Sequence, residues 1–136
     1  MSEYIKPLPV PSLESTPFWD GCKEHHLLLP RCHRCGSHWF PAAATCPKCL
    51  STEWEWARSS GRGKIYSYGV YHRVYHQGFQ ADIPYVLAVV QLDEGPRLVS
   101  NIVGCAPEEL KCDMPVEVFF EDVTEDTTLY KFRLLR

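Results

Sequence analysis

The sequence predicts a mainly β chain: an N-terminal helical segment, a small metal-stapled ribbon and a C-terminal five-stranded OB-fold barrel. Three observations carry that prediction. Two Cys-x2-Cys pairs, Cys32/Cys35 and Cys46/Cys49, stand ten residues apart. Five apolar or alternating runs follow, each bounded by turn chemistry. A short proline-led acidic segment falls between the third and fourth of them, which is the element order of an OB fold. With 136 residues, 45% of them hydrophobic, the chain is long enough for one compact unit or two very small ones.

The elements follow in order. Prolines 7, 9 and 11 keep the first sixteen residues out of a helix and favour an extended arm lying on another surface. Thr16-Pro17 reads as a helix start, with the hydroxyl accepting a backbone N–H and the proline at the first turn. The helix is expected to run to about His25, with Phe18, Trp19 and Cys22 as its apolar face. From Leu27 to Ala57 come the cysteine pairs and then Glu53-Trp54-Glu55-Trp56, whose alternation predicts a strand with one aromatic face. Arg58 to Lys64, with Gly61 and Gly63, reads as a linker. The five runs are Ile65–Tyr75, Tyr85–Leu92, Arg97–Val103, Val116–Phe120 and Leu129–Leu135. Turns at Gln77-Gly78, at Asp93-Glu94-Gly95-Pro96 and across Glu121–Asp126 separate them, and Ala106–Leu110 is expected as one helical turn. The expected division is residues 1–30, 31–60 and 61–136.

The four cysteines suit a tetrahedron of thiolates about 2.3 Å from a structural zinc. Gly36, after the second ligand, allows the positive φ that turns backbone N–H groups toward the sulfurs; Leu50 stands at the matching place in the second pair. Two other readings use the same residues. Disulfides are disfavoured in a reducing cytosol, and an iron centre uses the same S4 geometry. About thirty residues bury too little surface to fold alone, so the metal is expected to stabilise the ribbon, on the order of 10 kcal/mol. His33 and His38 are read as loop residues beside a closed four-Cys shell, and Cys105 and Cys112 as core.

Charge narrows the function classes. Residues 61–136 carry eight Lys or Arg against eleven Asp or Glu, and the first sixty residues balance at six against six. Proteins that live on phosphate backbones usually carry a basic surplus, which makes nucleic acid an unfavoured partner. The longest apolar stretch, Tyr85–Val90, is far short of the roughly 20 residues of a membrane helix, and residues 1–10 lack a signal pattern. A cytoplasmic protein is expected. Cys22 with His25 and His26 is a weak candidate thiol–imidazole pair, and His72 and His76 share a strand face with no third ligand in view. Tyr66, Tyr68, Tyr71, Tyr75, Phe79 and Tyr85 suit either a barrel core or a stacking face. Arg58, Arg62 and Lys64 suit the phosphates of single-stranded nucleic acid or the adenosine diphosphate head of coenzyme A, with Tyr66 as the stacking ring.

Several motifs occur together: Phe18-Trp19, Phe40-Pro41, Cys46-Pro47-x-Cys49, Gly61-x-Gly63-x-Ile65-Tyr66-Ser67, Pro84-Tyr85, Leu92 through Arg97, and Met114-Pro115-Val116. In this order the chain, from Pro17 to its end, resembles the acyl-CoA-associated zinc-ribbon OB-fold family catalogued as domain of unknown function thirty-five. It departs at Ala42-Ala43, where the family often has Pro-Arg, at Leu50, where Gly is usual, and at Asp113, where Gly commonly precedes the Met-Pro-Val run. The resemblance implies a rubredoxin-like ribbon and a role as a non-catalytic accessory subunit. Such a subunit docks on a thiolase-fold catalytic chain as a hetero-oligomer and helps enclose an acyl-CoA ester during thiolytic cleavage or condensation of a β-ketoacyl-CoA. On that reading zinc is structural, coenzyme A or acyl-CoA is the ligand, and Gly61 to Lys64 line its path. Phe40, Pro41, Trp54 and Trp56 form the docking surface. The alternative is a single-stranded nucleic-acid binder of the same architecture.

Overall fold

The computed structural model describes residues 8–72 and 84–135. The expectations for Tyr75, His76, the Gln77-Gly78 turn, Phe79 and residues 1–7 lie outside them. One helix, α1 (Thr16–Lys23), leads into a two-stranded antiparallel sheet of β1 (Leu28–Cys32) and β2 (Trp54–Arg58). A closed barrel follows, built from β3 (Arg62–Tyr71), β4 (Tyr85–Leu92), β5 (Arg97–Val103), β6 (Pro115–Asp122) and β7 (Thr128–Leu134). Its strand order is β3-β4-β5-β7-β6, with β5 and β7 parallel and every other pair antiparallel. That is the expected five-stranded barrel. The segment between β5 and β6 is a single 3-10 turn, Pro107–Glu109.

The helix ends two residues before the expected His25, because His25 itself takes a left-handed φ of 61°. Thr16 also behaves differently from expectation. Its hydroxyl donates to the Ser12 carbonyl at 2.7 Å instead of accepting from the helix. β1 is the strand the sequence hid, since Pro30 interrupts it. The ladder to β2 runs through the neighbours of Pro30, with the Ser59 amide donating to the Leu27 carbonyl at 2.7 Å and the His33 amide to the Glu53 carbonyl at 2.9 Å. Pro30 turns its nitrogen away from β2, so the missing donor is no loss. The supposed linker proves to be mostly strand, with Arg58 ending β2 and Arg62 opening β3.

One continuous apolar core joins these parts. Phe18 and Cys22 of α1, and Leu27 and Leu29 at the ribbon's base, pack with barrel residues including Ile65, Val90, Val116 and Phe132, all at most 4% exposed. Cys105 packs against that core, whereas Cys112, also expected inside, is exposed. Outside the core, Glu94 fixes the passage from ribbon to barrel. Its carboxylate accepts the Ser59 hydroxyl at 2.7 Å and the Ser60 amide at 2.9 Å, and the Gly61 amide donates to the Ser59 oxygen at 3.0 Å.

Two glycines permit close contacts at this junction, Gly63 with backbone and Gly61 with a side chain. A Cβ on Gly63 would lie 2.4 Å from the Gln91 carbonyl oxygen on β4, and one on Gly61, at φ 75°, would lie 2.5 Å from Val118 Cγ1. Gly63→Ala therefore has to push two strands apart, and denaturant unfolding is expected to show a loss of roughly 2–3 kcal/mol. Partial burial works against ionisation of Glu94, but its hydrogen bonds from Ser60 and Ser59 outweigh this and hold the carboxyl below its ordinary value. A depressed folded pKa contributes stability at neutral pH that disappears as pH falls through it. Glu94→Gln is accordingly expected to lower Tm at pH 7, with the gap from wild type closing below about pH 4 in a thermal-melt series.

Candidate metal centre and docking face

Cys32 closes β1, Cys35 lies in the turn after it, and Cys46 and Cys49 sit in a second turn before β2. All four Sγ atoms lie within 4.8 Å of one another. Cys32 and Cys49 are 3.5 Å apart and Cys35 and Cys46 3.7 Å. A tetrahedron with arms of about 2.3 Å has edges of about 3.8 Å, so the sulfurs fit a zinc ion. Both turns close alike: the Gly36 amide donates to the Cys32 carbonyl and the Leu50 amide to the Cys46 carbonyl, at φ 73° and 64°. Leu50 thus adopts the left-handed geometry that glycine provides at Gly36, with its side chain 74% exposed.

Backbone N–H groups face the sulfurs. Those of Cys35 and Arg34 point at Cys32 and lower its pKa. The Ser37 hydroxyl and amide hold Cys35 down to about 6. At Cys49 the Ser51 amide favours the thiolate, but the neighbouring sulfur of Cys32 and partial burial win and push it up to about 12. Around the cluster, Trp39 packs edge-on to Trp54 at 5.7 Å, and their indole N–H groups donate to the Ala43 and Ala44 carbonyls. His33 stands outside the shell, 3.5 Å from Glu55.

The expected docking residues divide. Phe40, Pro41 and Trp56 line an apolar pocket of about 190 Å³ together with Phe18, Trp19 and Pro30. Trp54 turns toward the ribbon's own small core beside Cys32 and Cys46. Trp19, unremarked as a docking residue in the sequence, reaches the pocket because α1 packs against the ribbon. The expected CoA residues also divide. Arg62 and Lys64 are exposed on β3 and Arg58 is exposed on β2. Tyr66 is 48% exposed, but the Arg97 guanidinium lies over its ring at 3.9 Å. Strand pairing brings Arg97 there, and the sequence alone does not reveal that register. Cys22 is fully buried, with burial pushing its thiol up to about 12, the opposite of an activated nucleophile. His25 turns away to Asp122, 3.1 Å distant, and stacks on Phe120.

Two family models match. Residues 19–55 match the ChsH2 rubredoxin-like zinc ribbon domain, and residues 56–121 the ChsH2 C-terminal OB-fold domain. A DUF35 domain-containing scaffold protein of Methanocaldococcus jannaschii is 41% identical over 123 residues, covering 85% of this chain and 86% of its own length. The chain belongs to the DUF35 family. Another relative of this DUF35 protein is the probable enoyl-CoA hydratase alpha subunit of Thermomonospora curvata. It is 35% identical over 95% of the chain, which spans only 40% of that subunit. The benzoylsuccinyl-CoA thiolase subunit BbsA of Thauera aromatica is 32% identical, covering 76% of the chain and 72% of BbsA. Among solved structures, a chain of the Ltp2-ChsH2(DUF35) aldolase superposes with a TM-score of 0.84 at 35% identity, covering 93% of this chain and 98% of that one.

The four-Cys cluster of the DUF35 protein is a zinc-ribbon site, and zinc there is structural, with no position left for a substrate. The purified protein is expected to carry one equivalent of zinc by elemental analysis. A strong chelator, or acidification that reprotonates the thiolates, is expected to release it and abolish the near-ultraviolet circular dichroism of Trp39 and Trp54.

Proposed function

We propose that this DUF35 protein is a non-catalytic accessory subunit that docks on a thiolase-type enzyme and helps bind and enclose an acyl-CoA ester during cleavage or condensation of a β-ketoacyl-CoA. The observation that carries this reading is the apolar pocket between α1 and the ribbon, rimmed by Phe40, Pro41 and Trp56. An aromatic-lined apolar recess on the surface of a small protein is where a partner's anchoring side chain gains most from burial. The relatives, which include a thiolase subunit, a probable enoyl-CoA hydratase subunit and a chain of the Ltp2-ChsH2(DUF35) aldolase, support an acyl-CoA enzyme as that partner.

The residues of the chain have two tasks in this reading. The pocket residues hold the catalytic chain, and Arg58, Arg62 and Lys64 with Tyr66 meet the anionic end of the CoA ester, keeping water from the reacting thioester at the partner's site. The nucleophile belongs to the partner. A single-stranded nucleic-acid role is disfavoured by the carboxylates of Glu117, Glu121 and Asp122 along β6, with Glu125 and Asp126 in the turn that follows.

Co-expression with thiolase-fold chains encoded nearby tests the reading. A complex that co-elutes in size exclusion, with thiolytic turnover higher than that of the catalytic chain alone, is expected. Trp56→Ala or Phe40→Ala is expected to weaken the complex by about tenfold or more. A chain that elutes alone beside every candidate, while the candidates are fully active without it, overturns the reading.

A further inference from the structure

Lys64, Gln91 and Arg97 form one row across the barrel's outer face, because β3 pairs Lys64 with Gln91 and β5 pairs Arg97 with Gln91. Their neighbours along the strands, Ile65, Val90 and Leu98, point into the core. The next row on the same face is Ser67, Val89 and Val99, with Val99 52% exposed. Polar and cationic groups therefore border an apolar strip. Tyr66 is the extra residue of a bulge between Ile65 and Ser67, and the bulge brings its ring under the Arg97 guanidinium.

Arg97 makes no ion pair with any described residue, and Lys64 has only a loose one, 3.9 Å from Asp113 with both side chains more than half exposed. A guanidinium resting on an aromatic ring has already lost much of its rotamer freedom, so ordering it on binding costs less. Arg97 is exposed, so its in-plane N–H donors can reach a phosphate and the face turned away from Tyr66 can stack on a planar base. Lys64 adds a point charge two strand spacings away, about 10 Å between backbones, within reach of two long side chains.

We propose that Arg97, held on Tyr66 and flanked by Lys64 and Gln91, is the subsite for the phosphorylated adenosine end of the CoA ester, with the purine stacked on the open face of the guanidinium. This rests on the acyl-CoA reading above and changes it at two points, the first being that Arg97 and Gln91 with Lys64, rather than Arg58 and Arg62, receive the phosphorylated end. The second is that Tyr66 acts as a positioning residue for Arg97 rather than as the ring that meets the base. The Val89 and Val99 strip beside the row suits the less polar chain that leaves the nucleotide.

Titration of the zinc-loaded full chain, followed by NMR, tests this with CoA, adenosine 3′,5′-bisphosphate, pantetheine and an eight-residue oligodeoxyadenylate as probes. CoA and the bisphosphate are expected to bind and to shift the Arg97 side-chain resonance, and pantetheine alone is not. Arg97→Ala is expected to weaken CoA by about tenfold or more, the loss of one charge-assisted pair. Arg97→Lys is expected to lose nearly as much, because charge without the planar group does not stack, and Tyr66→Leu is expected to weaken it in the same direction. Lys23→Ala on α1, a control cation off the barrel face, is expected to change it by less than about twofold. CoA binding that is unchanged in Arg97→Ala overturns the subsite and leaves the accessory-subunit reading standing. No CoA binding by the wild type overturns the subsite together with the ligand half of that reading, while partner docking is still judged by co-elution. Arg97-dependent binding of the oligonucleotide in preference to CoA overturns both in favour of nucleic acid.

Discussion

Four sulfurs confined within 4.8 Å of one another cannot all be thiolates unless a cation sits among them. Backbone and hydroxyl donors around the cluster, from Cys35 and Arg34 to Cys32 and from Ser37 to Cys35, ease individual sulfurs toward the anion but leave their mutual repulsion in place. A zinc ion turns the repulsion into four bonds, and the two turns that carry the cysteines then have a fixed separation. The rest of the ribbon depends on this. Trp39 and Trp54 pack against the cysteines, and the loop from Phe40 to Ala44 is anchored through their indole N–H groups. That loop supplies one wall of the apolar pocket.

The ribbon is not an independent bead on a string. Its base shares a core with α1 and the barrel through Leu27 and Leu29, and Glu94 reaches from the β4–β5 turn to hold Ser59 and Ser60. Apolar burial supplies most of the cohesion here, because it scales with area and asks for no particular geometry. The Glu94 contacts supply direction. They set the angle at which β2 leaves the ribbon and enters β3, where Gly63 permits a backbone approach that any side chain would block and Gly61 makes room for the Val118 side chain.

Much of this was legible in the sequence because the relevant signals are short-range. Cys-x2-Cys spacing specifies a knuckle whatever surrounds it, and the short apolar-rich runs Tyr85–Leu92 and Arg97–Val103, bounded by turn residues, specify strands, although which face of each points inward emerges only in the burial pattern. What escaped was long-range or locally contradictory. Pro30 masked β1, since its compatibility depends on which way its nitrogen points in a ladder not yet known. Tyr66 looked like a free stacking ring because nothing in its own neighbourhood announces Arg97, which arrives by way of β4. Cys112 looked like core by residue type, yet it lies in a turn that leaves it exposed. At the DUF35 ribbon, Leu50 shows the reverse case: a residue with little liking for left-handed backbone holds it because the knuckle geometry demands it.

Trp56 and Lys64 lie on one short run of chain, the first on the pocket wall and the second on the barrel's outer row, with the Glu94 clamp gripping the backbone between them. The run therefore works as a jig. Whatever seats itself against the tryptophan also fixes where the lysine stands, to within the play of a few hydrogen-bonded residues. Loosening the clamp would leave both surfaces intact and spoil only their alignment, much as a caliper with a slack pivot keeps its jaws but loses its measure.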